Sequence, residues 1–313
     1  MKSSPWKKMD RANTGGFTLI ELLIAMLVSG IVCIAVVFNY ASQQRAATSV
    51  RQVAQMQQQL RGAFRIMEMD IRAAGYDPGS ARLFGITNVQ RWDITDENTA
   101  YAVDANGSPA MRIAYDWDPA NAAVTGDGLL NEPSPAYRLF DDNNDGILDL
   151  VRDDDFLWAA GVGMNRQLVA EGIDAIGLAY AYDNNNDGDL DRLPPGVGGN
   201  IIWAVDSNND NRLDTNLDAN GDGIIDLTDD TDADFRITPA DGGVLPAPVP
   251  LNRIRMVRIW LLARATNADN RFINNGQSFL VGDQVVPAVA GGFTDNVRRR
   301  LMVRTIECRN MVQ

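Results

Sequence analysis

The 313-residue chain contains no histidine and only two cysteines. Without an imidazole there is no histidine general base, and the commonest zinc sites are closed to it. Cys33 lies inside an apolar run and Cys308 near the C-terminal end, so no disulfide within the chain is expected. Lysine is confined to Lys2, Lys7 and Lys8, and every later cation is an arginine. Proline is absent from Phe17 through Ala74, which leaves nothing there to break a helix. Residues 1–16 hold four cations against one anion, so the −13 of the whole chain becomes −16 beyond them. A field of that sign repels a phosphate backbone, and nucleic acid is not expected as a partner.

Charge is also nearly missing from Phe17 to Phe38, 22 residues whose one charged side chain is Glu21. As a helix this run spans about 30 Å, the hydrocarbon thickness of a bilayer. Lys2, Lys7, Lys8 and Arg11 precede it, so the N-terminus is expected in the cytoplasm and everything after Phe38 on the far side of the inner membrane, in single-pass topology. An ordinary secretory signal carries its small residues after the apolar run, whereas Gly15 and Gly16 stand before it. Cleavage at that point keeps the helix.

Gly16-Phe17-Thr18-Leu19-Ile20-Glu21 resembles the processing site of type IV prepilins. The resemblance implies a membrane prepilin peptidase that cuts between Gly16 and Phe17 and methylates the new terminus, making Glu21 the fifth mature residue. A lone carboxylate in an apolar span costs about 2 to 3 kcal/mol or more unless it finds a partner. In a filament of parallel helices the expected partner is the α-amino group of Phe17 on a neighbouring subunit, which gives Glu21 a role in assembly.

The helical signal outlasts the membrane. Val53, Met56, Leu60, Phe64, Met67, Ile71 and Ala74 recur at intervals of three and four, one face of a 3.6-residue period, and the opposite face is rich in glutamine. Gly75 and Asp77-Pro78-Gly79 end it. The expected organisation is a leader over 1–16, a helix over 17–76 and a globular β-rich domain over 77–313. Within the helix, 17–38 is the membrane and filament-core part and 39–76 the amphipathic part.

Strand-like runs follow at Met111–Tyr115, Tyr137–Phe140, Leu168–Tyr182, Ile254–Leu262 and Leu301–Cys308. In the third, Ile176, Leu178, Tyr180 and Tyr182 alternate with Ala175, Gly177, Ala179 and Ala181, a period of two that puts the large side chains on the helix. The expected fold class is α+β and pilin-like: one long helix packed on a mostly antiparallel sheet, with Asp/Asn-rich loop insertions. Asp70-Ile71-Arg72-Ala73-Ala74-Gly75-Tyr76, Glu171-Gly172-Ile173 ahead of Tyr180, Arg298-Arg299-Arg300-Leu301 and Arg309-Asn310 resemble segments of the PilW family of minor pilins. The J-type pseudopilins of type II secretion share this layout.

The acidic residues are patterned. Asp141, Asn143, Asp145, Ile147 and Asp149 fall at positions 1, 3, 5, 7 and 9 of a loop with Gly146 at position 6. Asp183, Asn185, Asp187, Asp189 and Asp191 repeat the spacing around Gly188, and Asp206, Asn208, Asp210, Arg212 and Asp214 repeat it with Asn211 in place of glycine. Asp218, Asn220, Asp222, Ile224 and Asp226 form a fourth copy, the one copy of these four with a carboxylate, Asp229, at position 12. Calcium takes six to eight oxygens, and this spacing wraps side chains 1, 3 and 5 and the carbonyl of residue 7 around one centre. The loops resemble those of EF-hands, dockerins and thrombospondin type 3 repeats. Arg152, Pro194 and Leu217 occupy position 12 of the first three, so Asp153–Asp155 are candidates to complete the first and the Asp189 carboxylate to add to the second. The same composition also suits acidic surface turns that bind nothing.

No catalytic residue is expected, since only acid density favours paired-carboxylate chemistry. The leading expectation is a minor pilin that initiates or caps a type IV pilus, first held in the inner membrane and then displayed outside the cell, with other pilin subunits and the prepilin peptidase as partners and calcium as its cofactor. The alternatives are a J-type pseudopilin and a membrane-anchored calcium-dependent adhesin or enzyme.

Overall fold

The computed structural model describes residues 18–77, 84–95, 102–116, 134–153, 166–196 and 198–311. Gly16, Phe17, Asp154 and Asp155 lie outside them. One helix, α1 (Leu19–Ala73), opens the described chain. The chain divides into two compact units, Met1–Arg51 and Gln52–Gln313. In the first unit the helix is long and apolar enough to cross a membrane, and Leu19, Leu23, Leu27, Ile31, Ile34 and Phe38 are all exposed.

In the second unit the helix buries Met56, Leu60, Phe64, Met67 and Ile71 of the periodic face read from the sequence, with Ala63 beside them and Val53 partly buried. Gly75, at a φ of 79°, takes the left-handed conformation that ends it, and a Cβ there would stand 2.9 Å from the carbonyl oxygen of Asn310. The Asn310 amide donates to the carbonyl of Arg72 at 2.9 Å and satisfies one of the open groups of the last turn.

The strands are β1 (Gly85–Asn88), β2 (Arg91–Trp92), β3 (Ser108–Pro109), β4 (Met111–Ala114), β5 (Ala136–Phe140), β6 (Asp149–Asp153), β7 (Arg166–Ala170), β8 (Ile173–Tyr182) and β9 (Arg192–Leu193). They continue with β10 (Asn200–Ile201), β11 (Ala204–Val205), β12 (Arg212–Asn216), β13 (Val244–Pro250), β14 (Ile254–Arg264), β15 (Phe279–Val281), β16 (Gln284–Val286) and β17 (Arg299–Glu307). A six-stranded sheet runs β13-β12-β11-β8-β14-β17 and a five-stranded sheet runs β1-β4-β5-β6-β7. Every pairing in both is antiparallel.

The run Leu168–Tyr182, expected as one strand, is two. Gly172 at a φ of 67° turns the chain between β7 and β8 and sends them to different sheets. The alternation within β8 holds: Ile176, Leu178, Tyr180 and Tyr182 share one core with the helix face and with Met111, Ile113, Tyr137 and Leu150 of the five-stranded sheet. The small face is covered too, since Ala175, Ala179 and Ala181 lie in a second core with Trp203, Trp260, Leu280 and Val281. Gly177 is what lets the β15–β16 hairpin lie so close. A Cβ on it would stand 2.3 Å from the backbone nitrogen of Gly282 and 2.5 Å from the carbonyl carbon of Val281. Gly177→Ala is therefore expected to destabilise the fold by about 2 to 3 kcal/mol, read as a lower denaturant midpoint at unchanged slope. A wild-type midpoint would show that the hairpin yields freely.

Polar contacts fix the helix and the hairpin. Asp70 on α1 accepts from the Tyr137 hydroxyl at 2.5 Å and from Nε of Arg152 at 2.7 Å, and Glu68 pairs with Arg304 of β17 at 2.7 Å. Asp283 at the hairpin turn accepts from Nη2 of Arg91 at 2.5 and 2.6 Å and from Nε of Arg236 at 3.2 Å. Burial alone would raise the Asp283 carboxyl, but the two guanidinium groups hold it below the usual carboxylate range.

Candidate functional site: the acidic loops

The four Asp/Asn loops sit where the sheets turn. The first, 141–149, joins β5 to β6; the second, 183–191, leaves β8; the third, 206–214, joins β11 to β12; the fourth starts at Asp218, just past β12. The first three share one internal hydrogen-bond pattern, and the fourth keeps all of it except the bond from the position-5 N–H to the position-1 carboxylate. In the first, the Asp145 N–H donates to Asp141 at 3.1 Å and to Asn143 at 3.0 Å, Gly146 donates to Asp141 at 2.8 Å, and Ile147 donates to Asp145 at 2.8 Å. The second repeats this through Asp183, Asn185 and Asp187, and the third through Asp206, Asn208 and Asp210. In the fourth, Asp222 donates to Asn220, Gly223 to Asp218 and Ile224 to Asp222. In all four loops the position-1 side chain thus accepts from the position-6 N–H, the position-3 side chain from the position-5 N–H and the position-5 side chain from the position-7 N–H.

Positions 4 and 6 demand left-handed backbone. Asn144 and Gly146, Asn186 and Gly188, Asn209 and Asn211, and Gly221 and Gly223 all have positive φ. Asn211 meets the requirement that glycine meets elsewhere and adds a contact, its side-chain oxygen accepting from the Val89 N–H at 3.1 Å. Asn209 accepts from the Arg91 N–H at 2.9 Å, so the third loop is docked on the segment joining β1 and β2.

Two ways of closing the loop appear. In the second and third, the carboxylate at position 9 accepts from the position-2 N–H: Asp191 from Asn184 at 3.1 Å and Asp214 from Ser207 at 3.0 Å. In the fourth that task falls to position 12, where Asp229 accepts from Ala219 at 2.9 Å, from Asn220 at 3.2 Å and from Asp226 at 2.9 Å. Asp226 turns away to Thr228.

A fifth loop of the fourth kind was not read from the sequence. Asp230, Asp232 and Asp234 take positions 1, 3 and 5, their oxygens all within 4.8 Å of one another. The Asp234 N–H donates to Asp230 and Asp232, Phe235 donates to Asp230, and Arg236 donates to Asp234. Asp241 stands at position 12 and accepts from Thr231, Asp232 and Thr238, the counterparts of the donors to Asp229. Ala233 and Phe235 occupy positions 4 and 6 at φ of 58° and 73°, unusual residues for that backbone. They hid the motif from a search centred on glycine. The D-x-D-x-D spacing and the acid at position 12 were the usable signal.

Buried oxygens give the loops their electrostatic character. Asp218 is 6% exposed and its Oδ1 has no hydrogen-bond partner, and Asp149 is 1% exposed with Oδ2 in the same condition. A buried carboxylate oxygen without a partner is destabilising by about 1 to 3 kcal/mol or more, and a cation at the loop centre would remove that penalty. Burial pushes Asp206 up to about 6 despite the backbone N–H groups of Asn211 and Asp210. It also raises Asp149 and Asp229 above the usual carboxylate range. Arg255 Nε lies 4.0 Å from Asp183, and its Nη2 donates to Asn186 at 3.2 Å, so the second loop already has a cation beside it.

Of the auxiliary donors expected for the first loop, Asp153 is engaged elsewhere. Asp153 is fully buried in β6 and pairs with Arg138 at 2.9 Å and Arg166 at 3.3 Å. The Asp189 side chain is exposed. Two of the C-terminal arginines are also occupied within the chain: Arg298 pairs with Asp269, and Arg299 with Asp174 and Asp295. The Arg299 hydrogen bonds, with those of Asn274 and the Val297 N–H, hold Asp295 down at about 2.

At the other end of the chain, Thr18 and Glu21 form a reciprocal cap. Glu21 Oε2 accepts from the Thr18 N–H and hydroxyl, both at 2.9 Å, and the Thr18 hydroxyl accepts from the Glu21 N–H at 3.3 Å. The sequence reading gave Glu21 no part in capping.

Comparison with known proteins places residues 11–37 in the prokaryotic N-terminal methylation motif. None of the curated proteins matches the chain. Among solved structures, a type IV-like pilin from Thermus thermophilus superposes with a TM-score of 0.37 at 12% identity, over 82% of this chain and 97% of that one.

Proposed function

We propose that this chain is a minor pilin of the PilW type, cut after Gly16, inserted through α1 into a type IV pilus that it initiates or caps, and displayed outside the cell. The observation that carries the reading is the methylation motif over residues 11–37 running directly into a single helix whose first unit is apolar and exposed. Such a surface needs lipid or other helices to cover it. The exported domain is structural, and its four acidic loops hold calcium through side chains 1, 3 and 5 and the closing carboxylate. The oxygens of Asp149 and Asp218 that lack a hydrogen-bond partner among the described residues support this assignment, since a bound cation would satisfy them.

Processing gives the direct test. Gly16→Leu is expected to leave the precursor intact in the membrane, because the peptidase requires a small residue where the leader meets the bilayer. Mass spectrometry of the wild-type protein from filaments should show Phe17 at the N-terminus carrying one added methyl group. An intact leader on that protein would overturn the proposal.

A further inference from the structure

The turn between β7 and β8, Glu171 and Gly172, meets the end of the first acidic loop. The register between β6 and β7 pairs Leu150 with Ala170, and one step further along both strands Asp149 stands opposite Glu171. The Gly172 N–H donates to Asp149 Oδ1 at 2.9 Å, and the Ile173 N–H donates to the Leu148 carbonyl at 2.8 Å. Because the Gly172 nitrogen is bonded to the Glu171 carbonyl carbon, the Glu171 Cα lies within roughly 5 to 6 Å of that carboxylate oxygen. We infer that Glu171 is the outside ligand of the calcium in the first loop, and that this shared ion clasps the two sheets at the turn where the chain passes from one to the other. The inference rests on the calcium reading above.

Three observations carry it. The first is an incomplete shell. With one oxygen from each side chain, Asp141, Asn143, Asp145 and Asp149 and the Ile147 carbonyl supply five oxygens, where calcium takes six to eight. Position 12 is Arg152, whose Nε is turned to Asp70 of α1 at 2.7 Å. Asp153 is held by Arg138 and Arg166, and Asp142 lies 3.8 Å from Arg166. A bidentate Glu171 supplies the kind of ligand that an EF-hand takes at position 12, from a different part of the chain.

The second is charge without compensation. Like charges directly opposed across a strand pair are destabilising. Asp149 is 1% exposed, its Oδ2 has no hydrogen-bond partner among the described residues, and Asp145 and Glu171 act on it as nearby negative charges. Glu171 is itself exposed, and no hydrogen bond or ion pair engages its carboxylate among the described residues. A cation between these three carboxylates replaces their repulsion with attraction.

The third is the place of the turn. Gly172 sends β7 to the five-stranded sheet and β8 to the six-stranded one, and its carbonyl accepts from the Arg264 N–H of β14 at 2.9 Å. The turn is therefore tied to the acidic loop on one side and to the six-stranded sheet on the other. At position 9 of the second and third loops, Asp191 and Asp214 accept from Asn184 and Ser207 of their own loops, whereas Asp149 reaches 23 residues along the chain to Gly172.

The test is hydrogen exchange of the full chain in zwitterionic detergent, read by mass spectrometry at rising calcium and in chelator. Calcium is expected to slow exchange in 141–150 and in 168–176 with one common midpoint, since one ion holds both. Glu171→Gln removes the charge of an exposed residue and keeps its size. It should raise that midpoint at least about ten-fold in both segments, leave their exchange in chelator unchanged, and leave 206–214 and 218–229 at their wild-type midpoints. A wild-type midpoint in Glu171→Gln, or protection of 141–150 that does not extend to 168–176, overturns the clasp and leaves the calcium reading standing. Exchange that Glu171→Gln speeds equally in calcium and in chelator also overturns it, because the residue then holds the turn without an ion. An absence of calcium protection in all four loops overturns the calcium reading itself.

Discussion

Calcium is expected to raise the melting temperature of the β-rich domain by about 5 °C or more over its value in chelator. An extracellular-type loop has a dissociation constant of about 0.1 to 1 mM, so at roughly 1 mM calcium each occupied loop contributes about 0.4 to 1.4 kcal/mol through mass action. Four loops together then supply about 2 to 6 kcal/mol, a large part of the 5 to 15 kcal/mol that typically holds a domain folded. Four divalent ions also offset half of the −16 charge beyond residue 16, which otherwise opposes compaction.

The measurement is a thermal melt of a soluble fragment beginning at Gln43, in calcium, magnesium and chelator. Asp218→Ala combined with Asp222→Ala should remove part of the shift, since it strips positions 1 and 5 of the fourth loop. Magnesium should substitute poorly, because it demands near-octahedral geometry at shorter distances and keeps its water. Identical curves in calcium and chelator would reduce the loops to acidic turns. The third loop's share of the shift is expected to appear as tighter docking of 88–92, because Asn209 and Asn211 hold that segment.

Local periodicity made the helix and the central strand legible. Seven residues from Val53 to Ala74 at steps of three and four defined the buried face of α1, and the large-small alternation of β8 defined which face meets it. Gly172 was visible, but its φ was not, so two strands were read as one. The second core behind the small face depends on residues 203–237 and 279–293 folding back over β8, a long-range event with no local signature. Gly177 looked like one more small residue in the alternation, and only the approach of Gly282 explains why alanine does not serve.

The acidic loops were legible because their geometry is local: within nine or twelve residues, the turning backbone and the side chains that accept from it come from one segment. What the spacing could not show is which carboxylate closes each loop. Asp191 and Asp214 do so at position 9 and Asp229 at position 12, a choice set by where the chain goes next. Similarly, the run Arg298-Arg299-Arg300-Leu301 shows three adjacent guanidinium groups and no local partner for any of them. Arg299 is instead enclosed between Asp174 and Asp295, a pairing between residues far apart in sequence.

Glu21→Ala is expected to be processed normally yet to enter filaments at least about ten-fold less than wild type, because removing one member of a charge pair in an apolar setting is worth about 3 to 5 kcal/mol. The cap found at Thr18 complicates that variant, since alanine also removes the acceptor of the Thr18 N–H and hydroxyl. Glu21→Gln separates the two roles. Glutamine keeps an oxygen for the cap, where Glu and Gln serve alike, but carries no charge for the Phe17 amino group of a neighbour. If docking is electrostatic, Glu21→Gln fails to assemble nearly as badly as alanine, whereas Thr18→Val, which loses the cap hydroxyl and keeps the charge, assembles well. Both variants should be processed to Phe17, as their substitutions leave Gly16 in place. Recovery of Glu21→Gln in sheared filaments at wild-type level would confine Glu21 to capping the helix, and the register of the incoming subunit would then have to come from the packing of α1 alone.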